Sequence, residues 1–145
     1  MLSINYEKAE ELYQEAYDLD DPIAALKLSF LYIRHYPDQK EKWMKFFQRG
    51  EMLGNLKCME FLVNFAVGLN ITSIEPENYK EVTRLVTKAA SLGGDTENLM
   101  NCYRKKMLSK EDLATTLRAH QAANDETKTV RREFAKRYKA FGERN

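Results

Sequence analysis

The sequence predicts an all-α protein, built as a short right-handed α-solenoid of about three helix-turn-helix repeats with two C-terminal capping helices. Apolar residues recur with a helical period along almost the whole chain, and no run alternates β-branched with polar residues as a strand would. The first predicted helix pair also matches the second at a shift of 34 residues. With 6 glycines and 3 prolines in 145 residues, the chain has too few turn formers for a β-sandwich.

The first two helices have clear start signals. Asn5 is a suitable N-cap for the first helix, and Asp21 is one for the second. Pro22 then takes the first helical position, where its missing N–H costs nothing. The apolar positions expected to form the core are Ala9, Leu12, Tyr13, Ala16 and Leu19 in the first helix and Ala24, Ala25, Leu28, Leu31 and Tyr32 in the second.

The third and fourth helices follow a break at Pro37. Asp38 and Glu41 form a possible capping box for the third helix, and Gly54-Asn55 is the turn before the fourth. The expected core positions are Trp43, Phe46, Phe47, Gly50 and Leu53, then Cys58, Met59, Leu62, Phe65 and Ala66.

Four further helices are predicted after residue 75. Pro76 suits the first turn of the fifth, Gly93-Gly94 ends it, and Ser109 with Asp112 resembles a capping box for the seventh. Asn124-Asp125 is expected to separate the seventh helix from the eighth, which ends near Phe141. We expect a single domain over residues 1–145, with repeats at 5–36, 38–70 and 76–108 and C-terminal helices at 109–145.

The repeat aligns small residues with small and large with large. At the shift of 34, Leu12-Tyr13 matches Phe46-Phe47 and Ala16 matches Gly50. A third copy over Tyr79–Gly94 follows at a spacing of 39, with Ala89 in the small position. Stacked helix pairs share a core, and small residues let neighbouring backbones approach closely.

These residues resemble a known repeat. The run Ala9-x-x-Leu12-Tyr13-x-x-Ala16-x-x-Leu19-Asp20-Asp21-x-x-Ala24-x-x-x-Leu28 and the ending Lys88-Ala89-Ala90-Ser91-Leu92-Gly93 look like a Sel-like repeat, a relative of the tetratricopeptide repeats. The resemblance covers residues 5 to 108. It implies an adaptor or scaffold that holds a partner segment on its concave face, with no catalysis by the repeats themselves.

Residues for catalysis or metal binding are sparse. His35 and His120 belong to no metal-binding pattern, and Cys58 and Cys102 lie far apart in the sequence. Cys58 takes the repeat position of Ala24, which favours packing over nucleophilic catalysis. Gly93-Gly94 is not followed by the Lys-Ser or Lys-Thr of a phosphate loop. We therefore expect no enzyme, no cofactor and no metal, and two reduced thiols indicate a cytoplasmic protein.

The first helices of such repeats usually line the concave face, which places the expected protein-contact residues. These are Tyr6, Glu10, Tyr13 and Tyr17 on the first helix and Met44, Phe47 and Glu51 on the third. Tyrosine and methionine offer large contact areas to a protein partner. The alternative is that several of them are core between repeats.

Charge is unevenly distributed despite a formal net charge of +1. Residues 1–21 hold seven acids and one base, whereas residues 126–145 hold seven bases and three acids. An anionic partner, nucleic acid above all, would use Arg131, Arg132, Lys136, Arg137 and Lys139. We favour instead a capping helix whose apolar side, Val130, Phe134, Tyr138 and Phe141, seals the solenoid. A membrane surface, or the acidic first helix of a second copy, is a further alternative.

The expected function is therefore protein binding, as an adaptor, a scaffold or an inhibitor of a partner protein. Nucleic-acid binding through the basic C-terminal helix is the alternative, and catalysis at a cysteine ranks third. The sequence does not decide the oligomeric state.

Overall fold

The computed structural model describes residues 5–67 and 75–143, which form seven α-helices and one 3-10 helix, with no strand in these two stretches. The all-helical prediction is confirmed. Within the described ranges, no helix is both long and apolar enough to cross a bilayer. The chain divides into two compact units, Met1–Ile74 and Glu75–Asn145.

The first unit contains four helices: α1 (Tyr6–Asp18), α2 (Pro22–His35), α3 (Lys40–Met52) and α4 (Leu56–Val67). The most extensive packing joins α2 to α3, while α1 packs on α2 and α4 packs on α3. The centre of its core consists of the apolar side chains with no exposed surface, namely Ala25, Leu28, Phe47, Cys58 and Met59. All five are positions that the helical periodicity assigns to the core.

Side-chain caps start the first two helices as predicted. The Asn5 carboxamide accepts a hydrogen bond from the Lys8 N–H at 3.0 Å. The Asp21 carboxylate accepts from the N–H groups of Ile23, at 2.8 Å, and Ala24, at 3.3 Å. These bonds satisfy N–H groups that have no partner inside the helix.

The predicted capping box of the third helix is wrong. Gln39, not Asp38, is the N-cap of α3, and it makes no side-chain capping bond. The turn is held instead by the Gln39 N–H, which donates to the Tyr36 carbonyl at 3.0 Å. The Trp43 indole N–H also donates to the Pro37 carbonyl, at 3.3 Å.

The helix ends at Asp20, Gly54 and Gly93 share one turn geometry, which is found again at Lys106, where φ is 60° and the Met107 N–H returns to the Cys102 carbonyl at 2.9 Å. Asp20, Gly54 and Gly93 lie in the left-handed region, with φ of 60°, 86° and 92°. In each turn, the next N–H returns to the carbonyl five residues earlier: Asp21 to Ala16 at 3.1 Å, Asn55 to Gly50 at 2.8 Å and Gly94 to Ala89 at 3.0 Å. This is the Schellman motif. The first three turns recur at the spacings of 34 and 39 residues found in the sequence.

Gly50 illustrates why a small residue stands before such a turn. A Cβ at this position would lie 2.3 Å from the Cys58 sulfur and 3.3 Å from the Ala25 Cβ. The distance to Cys58 leaves no room for a methyl group and the distance to Ala25 is tighter than an ordinary van der Waals contact, so the glycine lets α3 approach both α2 and α4. The expectation of close backbone approach is confirmed here.

The predicted core stripe of α1 is wrong at two leucines. Leu12 is 53% exposed and Leu19 is 84% exposed, and no residue of α1 is fully buried. The reason is that α1 turns its tyrosine-bearing side toward its neighbours, which rotates Leu12 outward.

The second unit contains a 3-10 helix (Pro76–Asn78), α5 (Tyr79–Ser91), α6 (Glu97–Arg104) and α7 (Lys110–Glu143). Pro76 begins the 3-10 turn that leads into α5. α5 packs mainly against α7 and less against α6. The core of this unit consists of apolar side chains from all three α-helices and the turn before α7, namely Val82, Leu85, Val86, Ala89, Ala90, Leu99, Cys102, Leu108 and Leu113.

The predicted break between a seventh and an eighth helix is wrong, because α7 continues through Asn124 and Asp125. Both side chains bond one turn back along the helix. The Asn124 amide meets the ring Nε2 of His120 at 2.9 Å, and the Asp125 carboxylate accepts from the Gln121 amide at 2.9 Å. With their polar groups engaged this way, neither residue competes for the backbone. The helix also runs past Phe141, through Gly142.

α7 has two parts with different surroundings. The proximal segment (residues 110–124) packs on α5, and there the His120 ring Nδ1 lies 3.0 Å from the Ala90 carbonyl. In the distal segment (residues 125–142) every side chain is exposed. The expectation that its apolar side seals a solenoid is therefore wrong.

Candidate functional site

The tyrosines predicted to form a contact face are turned toward neighbouring helices. The Tyr6 ring lies 4.0 Å, between centroids, from the ring of His35. Tyr17 meets Phe46 edge to face at 5.1 Å, and Tyr13 is half-buried. Burial raises the pKa of Tyr17, an effect that the nearby Arg49 guanidinium opposes. Tyr6 and Tyr17 thus pack against rings of neighbouring helices, and Tyr6, at 37% exposed, has the most exposed surface of the three tyrosines.

Glu10 joins α1 to α2. Its carboxylate accepts a hydrogen bond from the Tyr32 hydroxyl at 2.8 Å and a longer one from the Tyr36 hydroxyl at 3.4 Å. Burial, and then the bond to Glu10, raise the pKa of Tyr32 to about 12. The tyrosine therefore remains a hydrogen-bond donor to Glu10 at neutral pH, and Glu10 has a structural role.

The predicted contact residues of α3 separate into one half-buried and two buried side chains. Met44 is half-buried. Phe47 has no exposed surface and stacks on Phe61 with 3.8 Å between ring centroids and 7° between planes. Glu51 is 4% exposed. Phe47 and Glu51 consequently offer no surface to a partner.

The outward side of α1 is acidic with two leucines in it. We call this surface the acidic face; it consists of Glu7, Glu11, Leu12, Glu15, Asp18 and Leu19, all exposed. Within it, Lys8 pairs with Glu11 at 3.3 Å, and the Gln14 amide donates to Asp18 at 3.0 Å. The acids can be read from the sequence. The exposure of the two leucines cannot, because the leucine stripe and the tyrosine stripe of α1 both have the spacing of a buried helix face.

The distal segment of α7 presents the most prominent exposed apolar surface in the described chain. We call it the apolar stripe; its exposed fractions are 63% for Val130, 71% for Phe134, 72% for Tyr138 and 68% for Phe141. At 100° per residue the four side chains lie within about 40° of Phe134 around the helix axis. They therefore form one continuous surface, not scattered exposed residues.

The basic residues of the distal segment surround this stripe and are all exposed. Arg131 lies about 60° to one side of Phe134, and Arg137 lies about 60° to the other. Arg132 and Lys136 lie on the opposite side of the helix, and Lys136 is 3.8 Å from Glu133. Lys139 lies between these groups, on the side of Arg131. The five predicted cations thus do not form a single patch.

The cysteines and histidines have structural surroundings. Cys58 and Cys102 are free and buried. Burial raises the pKa of Cys58 to about 11, and it also raises that of Cys102, where Lys105 opposes the effect. Neither thiol is held as the thiolate that nucleophilic catalysis requires. Within the described ranges, no three His, Cys, Asp or Glu side chains cluster closely enough to hold a metal ion.

Comparisons of the chain with protein-family models, with curated proteins and with solved structures gave no match. The resemblance to Sel-like repeats stays a prediction from the sequence.

Proposed function

We propose that the chain is a non-catalytic protein-binding module, acting as an adaptor, scaffold or inhibitor, and that its binding surface is the apolar stripe with Arg131 and Arg137. The observation that carries the proposal is the stripe itself. Its four large side chains are each more than 60% exposed on a regular helix. Phenylalanine, tyrosine and arginine are the residue types enriched at protein interfaces.

The internal repeat supports the same function. Schellman turns end α1, α3, α5 and α6, and those after α1, α3 and α5 recur at the spacing of the sequence repeat, as expected for an α-solenoid built from helix pairs, an architecture used for holding partner segments. We choose α7 for the binding surface because Phe47 and Glu51 are buried. In addition, Glu10, Tyr6 and Tyr17 contact α2 and α3. Two free thiols favour a reducing compartment, and we propose the cytoplasm.

A comparative pull-down tests this function. The tagged full chain is used as bait in lysate of its native host, with and without nuclease, beside a variant carrying Phe134→Ser and Phe141→Ser. The matched control carries Arg132→Ala and Lys136→Ala, on the opposite side of the same helix. We expect a stoichiometric protein that survives nuclease, is lost with the phenylalanines and is retained by the control. Capture that does not depend on the phenylalanines would refute the proposal.

Nucleic-acid binding is the second candidate, because all five predicted cations of the distal segment are exposed. Lysine and arginine that neutralise phosphates release counterions, so such binding weakens steeply with salt. It would also depend on Arg132 and Lys136 as much as on Arg131. Titration of a labelled 20-nucleotide RNA and a 20-base-pair DNA at several salt concentrations measures this dependence.

A further inference from the structure

We infer that the apolar stripe of α7 binds the acidic face of α1 on a second copy of this chain. The inference rests on the proposed function and names the partner of the same surface. Three observations support it. The two surfaces carry opposite charge, their apolar residues have the same spacing, and their charged residues lie on opposite sides of the apolar residues.

The charges of the two surfaces are opposite. Six residues of the distal segment (residues 125–142) are basic and three, Asp125, Glu126 and Glu133, are acidic. The exposed residues of α1, by contrast, include four acids and one base, Lys8, which already pairs with Glu11. Two copies of the stripe facing each other would bring like charges together, whereas the acidic face supplies the complement.

The apolar spacing is the same on the two surfaces, although Leu19 is the C-cap residue directly after α1 and the other three side chains lie on the helices themselves. Leu12 and Leu19 are seven residues apart, as are Phe134 and Phe141, and seven residues correspond to about 10 Å along a helix. Each pair is exposed in the structure. Two leucines therefore meet two phenylalanines at matching intervals when the helices lie side by side, with the charged residues at the rim.

The side on which the charges lie fixes the relative direction of the helices. Arg131, Lys128 and Lys139 lie at about +60° to +140° from Phe134, whereas Glu15, Glu11 and Asp18 lie at about −60° to −120° from Leu12. When two helices lie side by side and run parallel, the residues at positive angles on one helix face the residues at negative angles on the other. The two positions that flank the core of a parallel coiled coil face each other in this way. The contact is therefore parallel.

This contact is heterologous, because each copy contributes a different surface. A copy bound through its α7 still has its own acidic face for another contact, so copies add in closed rings or open chains and the mean mass grows with concentration. A helix contact of this length buries less than the roughly 1,200 Å² of a stable interface. We expect weak association, with a Kd on the order of 10–100 μM.

Sedimentation velocity on the full chain tests the inference from about 5 to 500 μM protein in low and high salt. For the wild type we expect a mean mass that exceeds 17.0 kDa, rises with concentration and falls with salt. The variant Arg131→Glu/Lys139→Glu is expected to remain monomeric, as is Glu11→Lys/Glu15→Lys. The matched control, Arg132→Glu/Lys136→Glu, changes charge on the opposite side of α7 and is expected to associate like the wild type.

Mixing gives the sharpest test. The two monomeric variants each retain one wild-type surface, so an equimolar mixture is expected to associate although neither variant does so alone. Circular dichroism checks that every variant retains its helix content. Association that survives Phe134→Ser/Phe141→Ser, or that is lost equally in the matched control, would overturn the inference, as would a mixture that stays monomeric.

A monomeric wild type at 500 μM also overturns the inference, and the pull-down then separates it from the proposed function. If a nuclease-resistant partner still depends on Phe134, the module binds a different protein and the proposed function stands. If instead the stripe binds only vesicles containing phosphatidylserine, or only nucleic acid, both proposals fail.

Discussion

The proximal and distal segments of α7 are parts of one uninterrupted helix with apolar residues on similar sides, yet only the proximal segment is packed. The difference follows from length. α5 has 13 residues and spans about 20 Å, whereas α7 has 34 and spans about 51 Å. In the proximal segment Leu113 and Thr116 are buried, and the His120 ring lies 3.0 Å from the Ala90 carbonyl of α5. The distal segment has no equivalent support, and its apolar stripe is available to a partner.

A large difference in stability is expected between substitutions in the two segments. Leu113→Ala removes a buried side chain of the proximal segment and should lower the free energy of unfolding by about 2–4 kcal/mol. Urea unfolding followed by circular dichroism measures the loss. Phe134→Ala, in the distal segment, is the comparison; equal losses in the two variants would show that the distal segment is packed after all.

A smaller effect is expected at the polar contact between α7 and α5. His120→Ala removes the bonds to the Ala90 carbonyl and to Asn124, and should cost about 1–2 kcal/mol. The same unfolding assay applies, with Gln121→Ala as the exposed neighbour on the same helix. A cost for Gln121→Ala as large as that for His120→Ala would contradict the assignment.

Proline substitutions compare the two segments of α7 without changing a buried core residue. Ala135→Pro should unwind part of the distal segment and reduce the helical circular dichroism signal. The free energy of unfolding of the chain should change by less than about 0.5 kcal/mol, so the unfolding midpoint should hardly move. Ala114→Pro, in the proximal segment, should instead destabilise the second unit by about 3 kcal/mol or more. Similar midpoints for the two proline variants would remove the distinction between the segments.

The smallest expected effect is that of Phe134→Ser. Since the side chain is 71% exposed, its loss should change the free energy of unfolding by no more than about 0.5 kcal/mol. Differential scanning calorimetry provides the measurement. A larger loss would mean that Phe134 packs within the chain, and the stripe would then be core, not a binding surface.

Local features were predictable from the sequence. The caps at Asn5 and Asp21 use contacts within three residues, and the turns at Gly54 and Gly93 need only a residue that tolerates positive φ. The small side chain at Gly50 was predictable too, because the repeat marks the position where two backbones approach. Such features depend on a few neighbours along the chain.

Features that depend on competition between partners were not predictable. α1 carries two stripes with helical spacing, and the inward one is the stripe whose Glu10 accepts bonds from Tyr32 and Tyr36 and whose Tyr6 and Tyr17 meet rings of neighbouring helices. Asn124 resembles a helix stop until His120, one turn earlier, engages its side chain. For the candidate site, the sequence identified the apolar residues of the distal segment, but not that α5 is too short to cover them.

The buried cysteines give each unit its own internal probe. Cys58 lies in the first unit and Cys102 in the second, and both thiols are shielded and protonated in the native state. A maleimide can alkylate either sulfur only when the surrounding helices separate. The labelling rate of each cysteine, followed by peptide mass spectrometry, therefore reports how often its unit opens, and the natural chain permits this measurement without an introduced label site.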